Sequence, residues 1–234
     1  MSRIATRTMA ITAAAALALT GAVALAGCSS SGSSSSSSAA PVMSPVQAPV
    51  ALATCQAFPD LDVDDRLVIA PLADLGIQAV PCVWDDESVV WSSFDAVLTR
   101  NTWDYAERRD EFLSWCAAVD AVTTLLNPLP VAQWDSDKAY LRDLVAAGIP
   151  TVTTQFVDPG TDVAAWTPPA DCTDFVVKPA ISAGSRDTMR YGVTDDLTVP
   201  RAHIDRLLRD GRTVLVQPYL DAVDTEGETA MLFL

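Results

Sequence analysis

From Val50 onward, short apolar runs alternate with longer segments whose apolar residues recur at helical spacing. A chain patterned this way buries both kinds of element together only in a layered α/β arrangement, with helices covering a sheet. Residues 50–55 form the first apolar run; in residues 60–75, Leu61, Leu67, Val68, Leu72 and Leu75 then fall at helical intervals, and Gly76 follows as a C-cap. Residues 77–83 and 96–99 are apolar again, and in residues 104–119 Phe112, Trp115, Cys116 and Val119 make one helical face. Strand, helix, strand, strand, helix predicts an open, Rossmann-like sheet, although no GxGxxG is present.

Residues 125–127 read as a further short strand. Beyond Pro128 and Pro130, residues 135–147 carry an Asp or Ser N-cap, apolar positions at Leu141, Leu144 and Val145, and Gly148 past the end. Residues 151–157, 175–178 and 213–217 read as strands, 159–171 as a proline-rich connector and 201–208 as a helix. Residues 229–234 begin one more apolar strand with no polar tail behind it, which predicts a truncated product.

The first 49 residues follow different rules. Arg3 and Arg7 precede an apolar, alanine-rich run, and Leu25-Ala26-Gly27-Cys28 closes it with small residues before a cysteine. This predicts a lipoprotein-type signal peptide over residues 1–28, with Cys28 lipidated and the protein held at the cell membrane by that lipid alone. Residues 29–49, with serines 33–38 and Pro41, Pro45 and Pro49, read as a disordered linker. The folded part divides into a Rossmann-like domain over 50–134 and a second domain over 135–234.

A formal net charge of -15 argues against a nucleic-acid surface, which needs clustered Lys and Arg. Any anionic ligand must therefore meet a local positive pocket. Cys55, Cys82, Cys116 and Cys172 match no zinc or redox spacing; they read as small buried residues, with a Cys55–Cys82 pair open if the chain is exported.

Against that acidic background, only two of the 15 basic residues are lysine: Lys138, and Lys178 at the end of an apolar strand. A compact ammonium suits phosphate. The loop after Lys178 runs Ser182-Ala183-Gly184-Ser185-Arg186, where small side chains let backbone amides approach an anion and Arg186 adds a fork of donors. A second apolar strand exits through Gln217-Pro218-Tyr219-Leu220, able to offer main-chain groups to a purine edge, and Asp221, Asp224, Glu226 and Glu228 supply acids for ribose hydroxyls or a metal.

Together these segments resemble the ATP-grasp superfamily, the fold of glutathione synthetase and D-alanine-D-alanine ligase, from residue 50 to the end. The resemblance implies an α/β architecture in which a Rossmann-like subdomain precedes an incomplete ATP-grasp: an α+β lid plus the start of the C-terminal subdomain. It places Lys138 and Lys178 on ATP phosphates, Gln217, Pro218, Tyr219 and Leu220 around adenine, and Glu228 or Glu226 on the ribose. Asn101-Thr102-Trp103-Asp104-Tyr105, Val176-Val177-Lys178-Pro179, the loop 182–188 and Asp224-Thr225-Glu226-Gly227-Glu228-Thr229 look like the branch containing the cycloserine-biosynthesis ATP-grasp cyclase.

That kinship implies a carboxylate-amine ligase acting through an acyl phosphate, with ATP, Mg2+ and an amino-acid or peptide-like substrate. The magnesium ligands of relatives fall on strands beyond residue 234, so this chain is expected to bind ATP weakly without turnover. ATP sits uneasily with an export signal; translation from Met43 would give a cytoplasmic protein instead. The alternative reading is an extracytoplasmic solute-binding lipoprotein of α/β architecture.

Other features carry blander readings. His203 is expected on a helix surface, and no GxSxG accompanies it. Asp60, Asp62, Asp64 and Asp65 read as a helix N-terminal charge set, and Asp85-Asp86 as a solvated turn. Arg100, Trp103 and Tyr105 are open to either packing or substrate contact, and Arg186 and Arg190 to either solvent or phosphate.

Overall fold

The computed structural model describes residues 48–194 and 196–227. The signal segment with Cys28, the Ser/Pro linker up to residue 47, Met43, Glu228 and the strand expected over 229–234 lie outside the described residues. Among the described residues, no helix is long and apolar enough to cross a membrane.

Two four-stranded sheets organise the chain. The first is parallel, in the order β2-β1-β3-β4, with β1 at Val50–Thr54, β2 at Ala79–Val83, β3 at Ala96–Asn101 and β4 at Thr124–Leu126. The second is antiparallel, in the order β5-β8-β6-β7, with β5 at Gln155–Val157, β6 at Asp174–Pro179, β7 at Met189–Gly192 and β8 at Val214–Pro218. The predicted Rossmann-like half and α+β lid correspond to these two sheets.

Each sheet has its own core. Helix α2, Arg109–Asp120, buries Phe112, Cys116 and Val119 at intervals of four and three against Ala51, Ala53 and Val97 of the parallel sheet. Trp84 anchors this cluster, packed edge-on to Phe112 at 5.6 Å, with its indole N–H donating to Asp104 Oδ1 at 2.9 Å. In the antiparallel sheet, Phe175 and Val177 of β6 and Val214 and Val216 of β8 meet Ile204 and Leu207 of α5, Thr198–Arg209. On β6 the alternation is strict: Phe175, Val177 and Pro179 are buried, while Asp174, Val176 and Lys178 are only partly covered on the other face.

Two predicted helices are divided differently. The segment expected as one helix over 60–75 is a 3-10 turn, Asp65–Val68, followed by α1, Ile69–Asp74. Pro71 lacks the N–H of a helix interior and fits within the first turn of a short helix, so the earlier residues follow other paths. Leu61 is buried at φ 66°, whereas Leu67 and Leu75 stay 71% and 75% exposed, so the expected apolar face is not a buried one. The segment read as a helix over 135–147 is interrupted. Helix α3, Leu129–Asp135, uses the proline-rich start as its first turn, and extended backbone at Asp137 then breaks the chain before a 3-10 turn, Lys138–Tyr140, and α4, Leu141–Ala146.

The strand expected over 151–157 contracts to Gln155–Val157, the part opposite Val214–Val216. Both predicted glycine C-caps form: the amides of Gly148 and Ile149 donate to Val145 and Leu144, and those of Gly76 and Ile77 to Ala73 and Leu72. Gly148 holds φ +74° with nothing within 4 Å of an added Cβ. Gly148→Ala is therefore expected to cost about 1 kcal/mol through backbone conformation alone, read as a lower urea midpoint at unchanged slope. Cys55, Cys82, Cys116 and Cys172 are all free, so the open Cys55–Cys82 pairing is not formed.

Candidate functional site

The partly covered face of the antiparallel sheet positions the first candidate. Lys178 lies opposite Leu215 and Val176 opposite Gln217, so Lys178, Val176, Leu215 and Gln217 share the face turned away from α5. Lys138 comes to this face from the preceding segment. Asp137 accepts the Ala139 amide at 2.9 Å and starts the 3-10 turn; the Lys138 amide donates to Ala180 O at 3.0 Å, and its ammonium to Ser182 O at 2.6 Å.

The two ammonium groups feel one another. Burial pushes both lysines below the ordinary lysine pKa, and the Lys178 charge pushes Lys138 further down, with Asp137 opposing. Among the described residues, Lys178 Nζ has no carboxylate or hydrogen-bond partner. Two like charges, desolvated and close together with so little neutralisation, form a site suited to a multivalent anion.

The loop between β6 and β7 lies beside them. Gly184, Ser185 and Asp187 adopt positive φ of 61°, 56° and 55°, and Ser182 Oγ donates to Arg186 O at 2.9 Å, closing the loop on itself. Arg186 reaches Glu107 of the parallel-sheet half in an ion pair. A cleft of about 740 Å³ separates the halves here, lined by residues 106–111 on one side and by Ile181, Ser182, Ala183, Arg186, Asp187, Asp210 and Arg212 on the other.

Residues 50–127 match the family described as D-cycloserine synthetase DcsG, N-terminal domain. The chain is 39% identical over 190 residues to the cycloserine biosynthesis protein DcsG of Streptomyces lavendulae, covering 79% of this chain and 63% of that protein. The crystal structure of D-cycloserine synthetase DcsG superposes with a TM-score of 0.67 at 38% identity, over 76% of this chain and 61% of the other. This chain is similar to DcsG and has the ATP-grasp fold. A RimK domain ATP-grasp protein from Sphaerobacter thermophilus DSM 20745 shares the fold at TM-score 0.53 and 22% identity, over 74% of this chain and 64% of that one. The chain thus spans about three-fifths of the length of the DcsG proteins it matches.

Within this ATP-grasp fold the other sequence candidates divide into those at the lysines and those away from them. Gln217 is on the lysine face, buried, and donates to Thr154 Oγ1 at 2.8 Å. Pro218 ends β8, and the Tyr219 amide donates to Asp174 O at 2.8 Å, so the exit segment is fixed to the lid strand. Tyr219 donates its hydroxyl to Asp224 at 2.6 Å and lies 3.6 Å beneath the Arg190 guanidinium, which also pairs with Asp174 and Asp224. Asp224 is thereby engaged in a surface network, and its tyrosine and arginine partners hold its carboxyl below the ordinary value. Leu220 is half exposed and Glu226 exposed.

Several blander readings are refined. His203 is not a surface group: it is half-buried, with Nδ1 3.0 Å from the Tyr191 hydroxyl, and burial lowers its pKa. Asp65 pairs with Arg100 and Asn101, tying the 3-10 turn to β3. Trp103 packs edge-on to Phe58 at 5.1 Å, and Tyr105 packs at 5.5 Å from Phe112. Asp85 pairs with Arg108, which stacks 4.5 Å over Trp84.

Sequence reasoning missed Glu107 and Asp187. Asp187 bridges Arg206 of α5 and Arg212 at 2.8 and 2.6 Å, fixing the far end of the loop. Ser182-Ala183-Gly184-Ser185-Arg186 singled out the loop, but its anchors come from residues distant in sequence. Among the described residues, no group of three or more His, Cys, Asp or Glu side chains is arranged to hold a metal ion.

Proposed function

We propose that the lysine face of this chain holds the phosphates of ATP and that the protein serves carboxylate–amine ligation on an amino-acid-like substrate. The observation carrying this reading is the pair of desolvated ammonium groups, Lys138 and Lys178, meeting beside a small-residue loop. They fit a polyphosphate: the anion would return to each lysine the charge stabilisation that burial removes.

A bound triphosphate supplies the phosphoryl group that activates a carboxylate for attack by an amine. Lys178 would neutralise charge from β6 and Lys138 from the 3-10 turn that reaches the same face, fixing the phosphate-facing geometry by two point charges on separate elements. The Gln217–Leu220 exit segment would receive adenine through its main chain, and Glu226 or Glu228 the ribose hydroxyls. The substrate class rests on kinship with the Streptomyces protein, whose name states a role in cycloserine biosynthesis.

ATP at about a hundredfold excess over its dissociation constant is expected to raise the melting temperature by roughly 5–10 °C. A thermal-shift series of ATP against an equal concentration of sodium chloride and of adenosine checks this. No shift with ATP, or an equal shift with adenosine, would remove the phosphate site from the reading.

A further inference from the structure

Glu107 and Arg186 belong to different halves of the molecule, and their ion pair spans the cleft. Glu107 ends the 3-10 turn Trp103–Glu107, just before α2, on the parallel-sheet half, whereas Arg186 is on the loop between β6 and β7. The same loop is held a second time by the Lys138 ammonium on Ser182 O, at 2.6 Å. One cation that faces the lysine site is thus spent on a loop carbonyl, and the loop's own guanidinium on a carboxylate across the cleft.

We propose that Glu107 is a latch: it competes with the ligand's phosphates for Arg186 and holds the loop down until they displace it. This rests on the phosphate reading above and adds to it a specific residue, a competitor and a direction.

The physics favours exchange. Both partners are more than half exposed, at 58% and 56%, so water screens the pair and its net worth is small. A polyphosphate brings more charge and several acceptor oxygens to the same guanidinium, which recognises phosphate through bidentate geometry. The loop is constrained enough to act as a unit. Ser182 Oγ closes it onto Arg186 O, three of its residues hold positive φ, and Asp187 moors its end to Arg206 and Arg212. Release of Arg186 alone therefore frees the segment between Ser182 and Asp187 while both of its ends stay anchored.

Nearby charges do not supply the same contact. Arg108 is held by Asp85, Asp104 and Glu111, and Arg109 donates to Ser136 Oγ and Gln133 O, both at 2.8 Å. Glu111 lines the same cleft but pairs with Arg108. It therefore separates the latch from the general effect of one negative charge.

Calorimetric titration with magnesium–ATP tests the latch. Glu107→Gln should tighten binding about two- to fivefold, the range corresponding to an exposed ion pair. Glu111→Gln should change it by much less, and the Glu107→Gln effect should vanish in an Arg186→Gln background. Hydrogen exchange without nucleotide gives an independent readout: amides within 183–188 should exchange faster in Glu107→Gln and not in Glu111→Gln. Equal tightening by both glutamine variants, persistence of the effect without Arg186, or unchanged exchange in the loop would overturn the latch. Loss of the phosphate reading itself would look different: the wild-type chain would show no ATP response, while the exchange comparison would still report whether Glu107 restrains the loop.

Discussion

Lys178→Ala is expected to weaken ATP binding by about ten- to a hundredfold, because it deletes a charge-assisted contact worth about 1.5–3 kcal/mol. The same change should leave the unliganded fold as stable or slightly more so. Its ammonium is desolvated beside Lys138 and has no counter-ion among the described residues, so the folded state carries an unfavourable charge. Removing it lets Lys138 titrate closer to the ordinary lysine value. A residue that only packed would behave oppositely, losing stability and ligand together.

The pH dependence follows the same sign. Both lysines have folded pKa values below those of the unfolded chain, so between the folded and unfolded values the unfolded chain binds more protons. In that window these two groups make the unliganded protein more stable as pH rises, while ATP binding weakens as the ammonium groups are lost. Calorimetry and thermal melts of wild type, Lys178→Ala and Lys178→Met across the alkaline range read both quantities. Unchanged ATP affinity in both variants would refute a phosphate role for Lys178.

Much of this architecture was legible because it depends on local patterns. Phe112, Cys116 and Val119 announce α2 by spacing, and Gly76 and Gly148 announce helix ends by the backbone conformation they alone adopt cheaply. Lys178 stood out because a lysine ends an apolar strand in a chain whose basic residues are otherwise almost all arginine. What stayed hidden depends on tertiary partners. β7 is only four residues long, Met189–Gly192, too short for its alternation to stand out, and it becomes a strand by pairing with β6. The break at Asp137, which turns Lys138 toward Ala180 and Ser182, is secured by contacts 42 and 44 residues away along the chain. Glu107 looked like one more surface acid until folding brought Arg186 to it. His203 looked exposed because its partner, Tyr191, belongs to that same hidden strand.

The largest loss of stability is expected from Phe175→Ala. Phe175 is fully buried on β6 between Trp166 and Tyr191, with ring centroids 5.7 and 5.8 Å away, and faces Ile204 and Leu207 of α5. Truncating such a phenylalanine costs about 3–5 kcal/mol through lost transfer energy and the cavity left behind, a large share of the roughly 5–15 kcal/mol by which domains are stable. The loss should concentrate in one half of the molecule, because the buried clusters around Phe175 and around Trp84 share no residue. Hydrogen exchange in Phe175→Ala should therefore accelerate in β6, β7 and β8 more than in Ala51–Ala53 of β1. Lys178 is three residues along the same strand on the opposite face, so loosening this core should also loosen the proposed phosphate site. Phe175→Leu, which keeps most of the volume, should retain both the exchange protection and the ATP response to a much greater degree. Equal acceleration in both sheets would show instead that the two cores unfold as one cooperative unit, and the lid would then have no stability of its own to lose.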